Sequence, residues 1–282
     1  MLTAEELAKS LAAKFLENGN YEALGAGLSD TSIAEFSSAA AMAAIEDSFR
    51  GEDGFAGLSV QSVGYTAGAS DEHVVVYVTR GSSKALKDVP KEVEGVQIET
   101  RVMGKLRVSP APAMAATGMS YFYERSGRIA CGGSIAPSRE QYAGTLGAFA
   151  LGAGQIRAIS NNHVFAACNH TPVGMPILGP AAMDARPGRR APTEVCVYRD
   201  MVELRSGVPA LVQPMSLDAA FGEVTDPSII SSWQGDDVDG YDTPGSVLEP
   251  TAGIRVKKFG RTTGMTTGTI EALVANTVGV AV

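Results

Sequence analysis

The short length of the apolar segments after residue 120 constrains the fold more than any other feature of this sequence. Almost every segment spans only a few residues, favours β-structure and ends near Gly, Pro or Asn. No amphipathic helix pattern in this part runs longer than about two turns. The 32 glycines of the chain suit an architecture with many turns. The pattern predicts a β-sandwich or β-barrel with strands at residues 144–150, 155–159, 194–198, 217–224, 253–259 and 267–274.

The first part of the chain shows a different pattern, with helices ahead of strands. Thr3 can cap a helix that runs to Leu16, and Glu6 can complete a capping box. A second helix is predicted from about Ser32 to Phe49. β-Rich segments follow at residues 58–63, 73–79 and 90–102.

This change of pattern predicts two domains joined by a linker. Residues 1–108 form a small α+β domain, and residues 121–282 form the β-rich domain. Residues 109–120, which are rich in Pro and Ala, form the linker.

The charge and the first residues limit the class of partner. The net charge is −8 and neither half of the chain is basic, which argues against nucleic-acid binding. The N-terminus has early glutamates and no uninterrupted apolar core of the signal-peptide type. No window is apolar enough to span a membrane, so we expect a cytoplasmic protein without a membrane partner.

The three cysteines do not suggest a metal site or a disulfide framework. Cys131, Cys168 and Cys196 are widely spaced, odd in number and free of metal-ligand spacing. We expect reduced residues in or near the core.

Two residues far apart in the sequence could act together in catalysis. His163 follows a predicted strand at a polar turn, and Asp218 stands among apolar residues, where an imidazole N–H would satisfy its carboxylate. Each also has a simpler interpretation, because His163 could merely belong to a capped turn and Asp218 could accept backbone N–H groups. The other histidines, His73 at the head of an apolar strand and His170 in a loop, are interpreted as structural.

Four motifs in a fixed order give a more specific resemblance. They are Gly144-Thr-Leu-Gly147, Ser160-Asn-Asn-His-Val164, Leu217-Asp-Ala219 and Gly260-Arg-Thr-Thr-Gly-Met-Thr-Thr-Gly268. Together they resemble a trypsin-like serine peptidase family of bacteria and plants, over roughly residues 75–275. The resemblance implies a chymotrypsin-like double β-barrel, with His163 as the general base and Asp218 as the residue that orients it.

The family resemblance also implies a nucleophilic serine, which the sequence does not supply. Chymotrypsin-type enzymes run His, Asp, Ser along the chain, with the serine in a Gly-Asp-Ser-Gly loop, and no such motif occurs in these 282 residues. We therefore expect a second barrel that is incomplete, and a nucleophile and oxyanion hole outside the chain. Ser246 lacks the required flanks, Ser134 lies before the predicted barrel, and Cys168 follows His163 too closely.

The predicted function is therefore that of a serine endopeptidase family member which carries only the His and Asp of the triad. Its partner would be a protein or peptide substrate, and neither a metal nor an organic cofactor is implied. The acidic stretch 235–242 lacks EF-hand spacing and is interpreted as a solvated loop. The alternatives are a non-catalytic homologue that binds or regulates, and an unrelated β-domain. The apolar tail at residues 267–282 is expected to be an exposed edge that favours self-association or the binding of a missing C-terminal segment.

Overall fold

The protein is mainly β, which confirms the fold class predicted from the sequence. The computed structural model describes residues 2–21, 38–49, 57–66, 71–81, 86–87, 89–103, 124–204, 217–235, 240–242 and 246–275. The described helices are α1 (Ala4–Glu17), α2 (Ala39–Ser48) and α3 (Asn162–Phe165). The described strands are β1 (Leu58–Tyr65), β2 (His73–Gly81), β3 (Glu92–Val93), β4 (Val96–Val102), β5 (Glu124–Arg125), β6 (Arg128–Cys131), β7 (Ser134–Pro137), β8 (Gly144–Thr145), β9 (Ala148–Gly152), β10 (Gln155–Ser160), β11 (Pro176–Gly179), β12 (Thr193–Met201), β13 (Ala220–Val224), β14 (Ile230–Gln234), β15 (Arg255–Gly260), β16 (Gly264–Thr269) and β17 (Leu273–Val274).

The N-terminal helix forms as its capping residues predict. The hydroxyl of Thr3 accepts a hydrogen bond from the Glu6 backbone N–H at 3.2 Å, and the Glu6 carboxylate accepts one from the Thr3 N–H at 3.0 Å. Both N–H groups would otherwise lack a partner at the start of the helix. One face of α1 is fully buried, with Leu7, Leu11 and Phe15 at its centre.

Helices α1 and α2 pack on a five-stranded sheet whose order is β17-β1-β2-β4-β3. Helix α2 begins after Ser38, whose hydroxyl caps it, and the earlier part of the predicted second helix lies outside the described residues. Strands β2 and β4 run parallel, and the other pairs run antiparallel. The strands β1, β2 and β4 match the β-rich segments predicted from the sequence. The predicted linker, residues 109–120, lies outside the described residues.

The larger, seven-stranded sheet curls into a barrel. Strand β8 pairs with β7 at one edge and β9 pairs with β10 at the other, yet only Leu146 and Gly147 separate β8 from β9. The Leu146 N–H donates to the Gly133 carbonyl at 2.9 Å, and the Gly147 N–H donates to the Ile159 carbonyl at 3.0 Å. One continuous segment therefore forms both edges of the sheet and closes it.

Apolar side chains from all sides fill this barrel. The buried cluster includes Ile135, Leu146, Ala158, Ile177, Val195 and Tyr198. The closing segment contributes to this core directly, since the Leu146 side chain is fully buried. Ser134 was predicted to lie before the barrel, and this prediction is wrong, because Ser134 begins strand β7.

The remaining strands form two small sheets, β14-β6-β5 and β15-β16, and the described residues form no second closed barrel. The turn between β15 and β16 is attached to the first barrel through Arg261. Its guanidinium forms two 2.6 Å hydrogen bonds with the carboxylate of Asp184. Asp184 is 5% exposed and also accepts a hydrogen bond from the Ser134 hydroxyl at 2.5 Å. A buried ionic contact thus joins the β15–β16 turn to the barrel.

The end of the described chain pairs with the first sheet. Strand β17 lies antiparallel to β1, and the Ala275 N–H donates to the Val63 carbonyl at 2.8 Å. Strand β17 is one edge of this sheet and Val274 is exposed, so residues 273–274 form the exposed edge expected from the sequence, and this edge pairs with β1. The rest of the tail, residues 276–282, lies outside the described residues.

Removing one partner of the buried ion pair should cost much more stability than removing one partner of an exposed pair. We expect Arg261→Ala to lower the free energy of unfolding by about 3–5 kcal/mol, because it leaves the Asp184 carboxylate buried without its cation. Arg199→Ala removes the exposed pair with Glu223, at 2.7 Å, and should cost no more than about 1 kcal/mol. Urea unfolding measures both. Equal losses would show that the Asp184 contact is not buried in solution.

The barrel closure predicts a different sensitivity for two glycines of the same segment. A Cβ at Gly147 would lie 2.9 Å from the Ile159 carbonyl oxygen, whereas one at Gly152 would meet only the end of Arg157 at 3.7 Å. We expect Gly147→Ala to cost about 1–3 kcal/mol. Gly152→Ala should change stability by less than about 0.5 kcal/mol. If Gly147→Ala leaves the urea midpoint unchanged, the segment does not cross the barrel at this point.

Candidate active site

The pairing of β10 with β13 brings two distant parts of the sequence to one end of the barrel. The strands are antiparallel, with Ser160 opposite Ala220. The chain leaving β10 and the chain entering β13 therefore meet at the same end. His163 follows three residues after Ser160, and Asp218 precedes Ala220 by two, so both side chains lie at this end.

The Asp218 carboxylate contacts both the ring and the backbone of His163. Nδ1 of His163 lies 2.5 Å from Oδ2 of Asp218, and the His163 backbone N–H donates to Oδ1 at 3.1 Å. Since a carboxylate can only accept, the neutral ring must carry its proton on Nδ1. The carboxylate therefore fixes both the tautomer of the ring and its orientation relative to the His163 backbone.

The outer nitrogen of the His163 ring, Nε2, is available to accept a hydrogen bond. His163 has a side chain that is 54% exposed, and Nε2 has no hydrogen-bond partner within the part of the chain that the structure describes. With the proton on Nδ1, Nε2 carries a lone pair. It can accept a proton from a hydroxyl group that approaches from solvent.

Asp218 is less buried than the sequence pattern suggested. Its side chain is 35% exposed, and its partners are groups of His163 rather than a fully apolar surrounding. The neighbouring Asn161 side chain donates to the Asp218 backbone carbonyl at 2.9 Å. This bond ties the segment just before His163 to the segment that carries the carboxylate.

The helix that carries His163 is a single turn held by its neighbours. Val164 and Phe165 are buried, and the Tyr142 hydroxyl donates to the Val164 carbonyl at 2.9 Å. A Cβ at Gly144 would lie 2.4 Å from the Val164 side chain. A glycine is therefore required at this position for β8 to approach the helix.

Three of the sequence motifs meet at Thr145. Its hydroxyl accepts a hydrogen bond from the Arg261 backbone N–H at 3.1 Å, and its carbonyl accepts one from the Ser160 hydroxyl at 2.7 Å. These contacts join the segments around residues 144–147, 160–164 and 260–264. Segments that are far apart in the sequence thus support one another beside His163.

The other histidines lie elsewhere and have their own partners. Nδ1 of His73 lies 3.0 Å from the Asp71 carbonyl, and Nδ1 of His170 lies 2.9 Å from the Ala167 carbonyl. Neither ring contacts Asp218. Ser246 is exposed at a bend, and the Ser134 hydroxyl is buried against Asp184.

Two of the three cysteines lie in the core, as predicted, and the prediction is wrong for the third. Burial raises the pKa of the Cys131 thiol to about 12 and also raises the pKa of Cys196, so both remain protonated and unreactive. Cys168 is exposed. Among the described residues no group of three or more His, Cys, Asp or Glu side chains could hold a metal ion. No helix in the described part is long and apolar enough to cross a membrane.

The contacts of the asparagines around His163 were not predicted from the sequence. Asn161 reaches Asp218, whereas Asn162 and Asn169 bond to each other. Two consecutive asparagines before a histidine, and another one six residues after it, were the available signal. The asparagines bond to residues at the end of β12, just after β12 and just before β13. Local sequence patterns do not reveal these distant partners.

Comparison with known proteins adds little to this geometry. No protein-family model and no curated protein matches the sequence. Among the solved structures that resemble the chain is a glutamic acid-specific serine protease that uses a histidine triad in substrate binding. The sequence identity is 18% and the TM-score is 0.34, and the match covers 51% of this chain and 62% of that one. The chain thus spans less than two thirds of that structure.

Replacing Asp218 should move the proton on the His163 ring. In Asp218→Asn the amide N–H can donate to Nδ1, which stabilises the tautomer with the proton on Nε2. We expect long-range ¹H–¹⁵N spectra, recorded with the ring neutral, to show the Nδ1–H tautomer in the parent chain and the Nε2–H tautomer in the variant. His170 donates to a carbonyl and should keep its tautomer, which makes it an internal control. An unchanged His163 spectrum would mean that Asp218 does not contact the ring.

Proposed function

We propose that this barrel is part of a serine endopeptidase catalytic domain, with His163 as the general base and Asp218 as the residue that orients it. One observation carries the proposal. Asp218 binds the inner nitrogen of an exposed imidazole, while the outer nitrogen lacks a partner among the described residues. A surface histidine that only stabilises the fold has no need of a carboxylate that contacts both its ring and its backbone.

The proposed chemistry follows from this arrangement. Nε2 of His163 accepts the proton of a serine hydroxyl as the oxygen attacks a peptide carbonyl, and it later delivers this proton to the leaving amine. Asp218 stays ionised and stabilises the imidazolium that forms between these steps. In enzymes of this type the change of Asp to Asn lowers kcat by about 10⁴-fold.

The serine belongs to polypeptide outside these 282 residues in this proposal. The sequence has no Gly-Asp-Ser-Gly motif, and the described residues place no hydroxyl within hydrogen-bond distance of Nε2. The same observation also favours the second candidate, a non-catalytic homologue that binds a partner. The two candidates differ in whether added polypeptide creates hydrolytic activity.

The 282-residue chain alone should be inactive towards peptides. A general base without a nucleophile cannot form an acyl-enzyme. We expect no labelling by a fluorophosphonate probe and no hydrolysis of denatured casein. Labelling that disappears in Ser246→Ala would contradict this expectation, because it would identify Ser246 as a nucleophile.

The decisive comparison is between this chain and the same chain extended by whatever the gene encodes after Val282. We expect the extended chain to react with the probe and to hydrolyse casein, and His163→Ala to abolish both. Asp218→Asn should lower kcat by about 10⁴-fold. A gene that ends at Val282, or an extended chain that folds and stays inactive, would instead support the non-catalytic homologue.

A further inference from the structure

The segment that follows the His163 helix has an unfavourable backbone conformation. Three consecutive residues, none of them glycine, have left-handed φ angles: 48° at Ala167, 55° at Cys168 and 76° at Asn169. Left-handed conformations are disfavoured for residues with a Cβ and usually occur singly. A run of three therefore needs contacts that impose it.

The side chain of Asn169 supplies such contacts. Its Oδ1 accepts hydrogen bonds from Asn162 Nδ2 at 2.7 Å and from the Leu204 N–H at 3.0 Å. Its Nδ2 donates to the Leu204 carbonyl at 2.7 Å, and its backbone N–H donates to Asn162 Oδ1 at 3.1 Å. Asn169 thus bonds simultaneously to Asn162, the helix residue before His163, and to Leu204 in the chain after β12.

Asn162 is the buried half of this contact. It is fully buried, and its Nδ2 also donates to the Val202 carbonyl at 2.8 Å, with the Met201 sulfur 3.1 Å away. We call Asn162 and Asn169 together the amide clamp. The clamp holds the start of α3 against the end of β12.

The same region leads directly to Asp218. The Val202 N–H donates to the Ala219 carbonyl at 2.8 Å, and Ala219 follows Asp218 in the chain. Asn161, two residues before His163, bonds to the Asp218 carbonyl. Asparagines before and after His163 therefore attach its segment to neighbouring strands.

The helix does not fix its own orientation, which depends on the packing of Val164 and Phe165, on the Tyr142 hydroxyl and on side-chain hydrogen bonds to the barrel. It has only four residues, and the Asn161 side chain makes no capping hydrogen bond to it. A single turn of helix is not stable by itself, since forming the first turn is unfavourable. Its orientation must come from these contacts.

We propose that Asn162 and Asn169 are positioning residues, which keep Nδ1 of His163 facing Asp218. The proposal rests on the proposed function only in naming His163 as the base. The contact between the ring and the carboxylate can be measured without any catalytic activity.

The test uses two substitutions at Asn169 that differ in backbone strain. Asn169→Ala and Asn169→Gly both remove the amide, but only glycine accepts the left-handed conformation without strain. If Asn169 serves only to adopt that conformation, the glycine variant keeps the single Nδ1–H tautomer of His163. If the amide clamp positions the ring, both variants lose that tautomer.

We expect both variants to show a mixture of the two His163 tautomers in long-range ¹H–¹⁵N spectra of the 282-residue chain, with the Nδ1–H signal reduced. The glycine variant should unfold at a higher urea concentration than the alanine variant. Two controls should keep the parent His163 spectrum: Cys168→Gly, which relieves neighbouring strain, and Asn18→Ala, which removes an exposed amide that bonds to Lys14. A folded Asn169→Gly variant with an unchanged His163 tautomer would overturn the proposal.

Failure of the amide-clamp proposal can be distinguished from failure of the proposed peptidase function. An extended chain without peptidase activity would reject the catalytic role of His163 and leave the tautomer result intact. Conversely, an active extended chain whose kcat is unchanged by Asn169→Gly would reject the amide clamp while the catalytic proposal stands.

Discussion

The antiparallel pairing of β10 with β13 is the constraint on which the candidate site depends. Because Ser160 lies opposite Ala220, residues 55 positions apart leave the barrel at the same point. A slip of one residue in this register would turn every side chain of the strand to the other face. The register is fixed by the buried residues of both strands and by the segment that closes the barrel at Gly147.

The residues that close the barrel at this end also support the helix that carries His163. Gly144 admits the side chain of Val164, and Thr145 bonds to both Ser160 and Arg261. These contacts fix the base of the helix, whereas the amide clamp and Asn161 fix its direction. The exposed ring of His163 is therefore supported by buried neighbours.

Local patterns were sufficient for some parts of this structure. The capping box of α1 lies within a few residues, and the β-branched run of β2 needs no distant partner to be recognised. The contact between His163 and Asp218 was accessible because the motifs have a known order. The mainly β character of the part after residue 120 followed from the short, turn-bounded segments.

Other parts depend on contacts between distant residues and were missed. The buried contact of Asp184 with Arg261 joins residues 77 positions apart, and neither stands in a pattern that suggests burial. The left-handed run at residues 167–169 occurs together with hydrogen bonds of Asn169 to Asn162 and Leu204, which are distant contacts. The pairing of β17 with β1 likewise joins opposite ends of the chain, which residue patterns within either strand cannot specify.

The most direct test of the central claim, that His163 and Asp218 are in contact, is a double-mutant cycle. It compares the free energy of unfolding of the parent chain, His163→Ala, Asp218→Ala and the double variant at one pH. The account predicts a coupling energy of at least about 0.5 kcal/mol, and additive effects would contradict it.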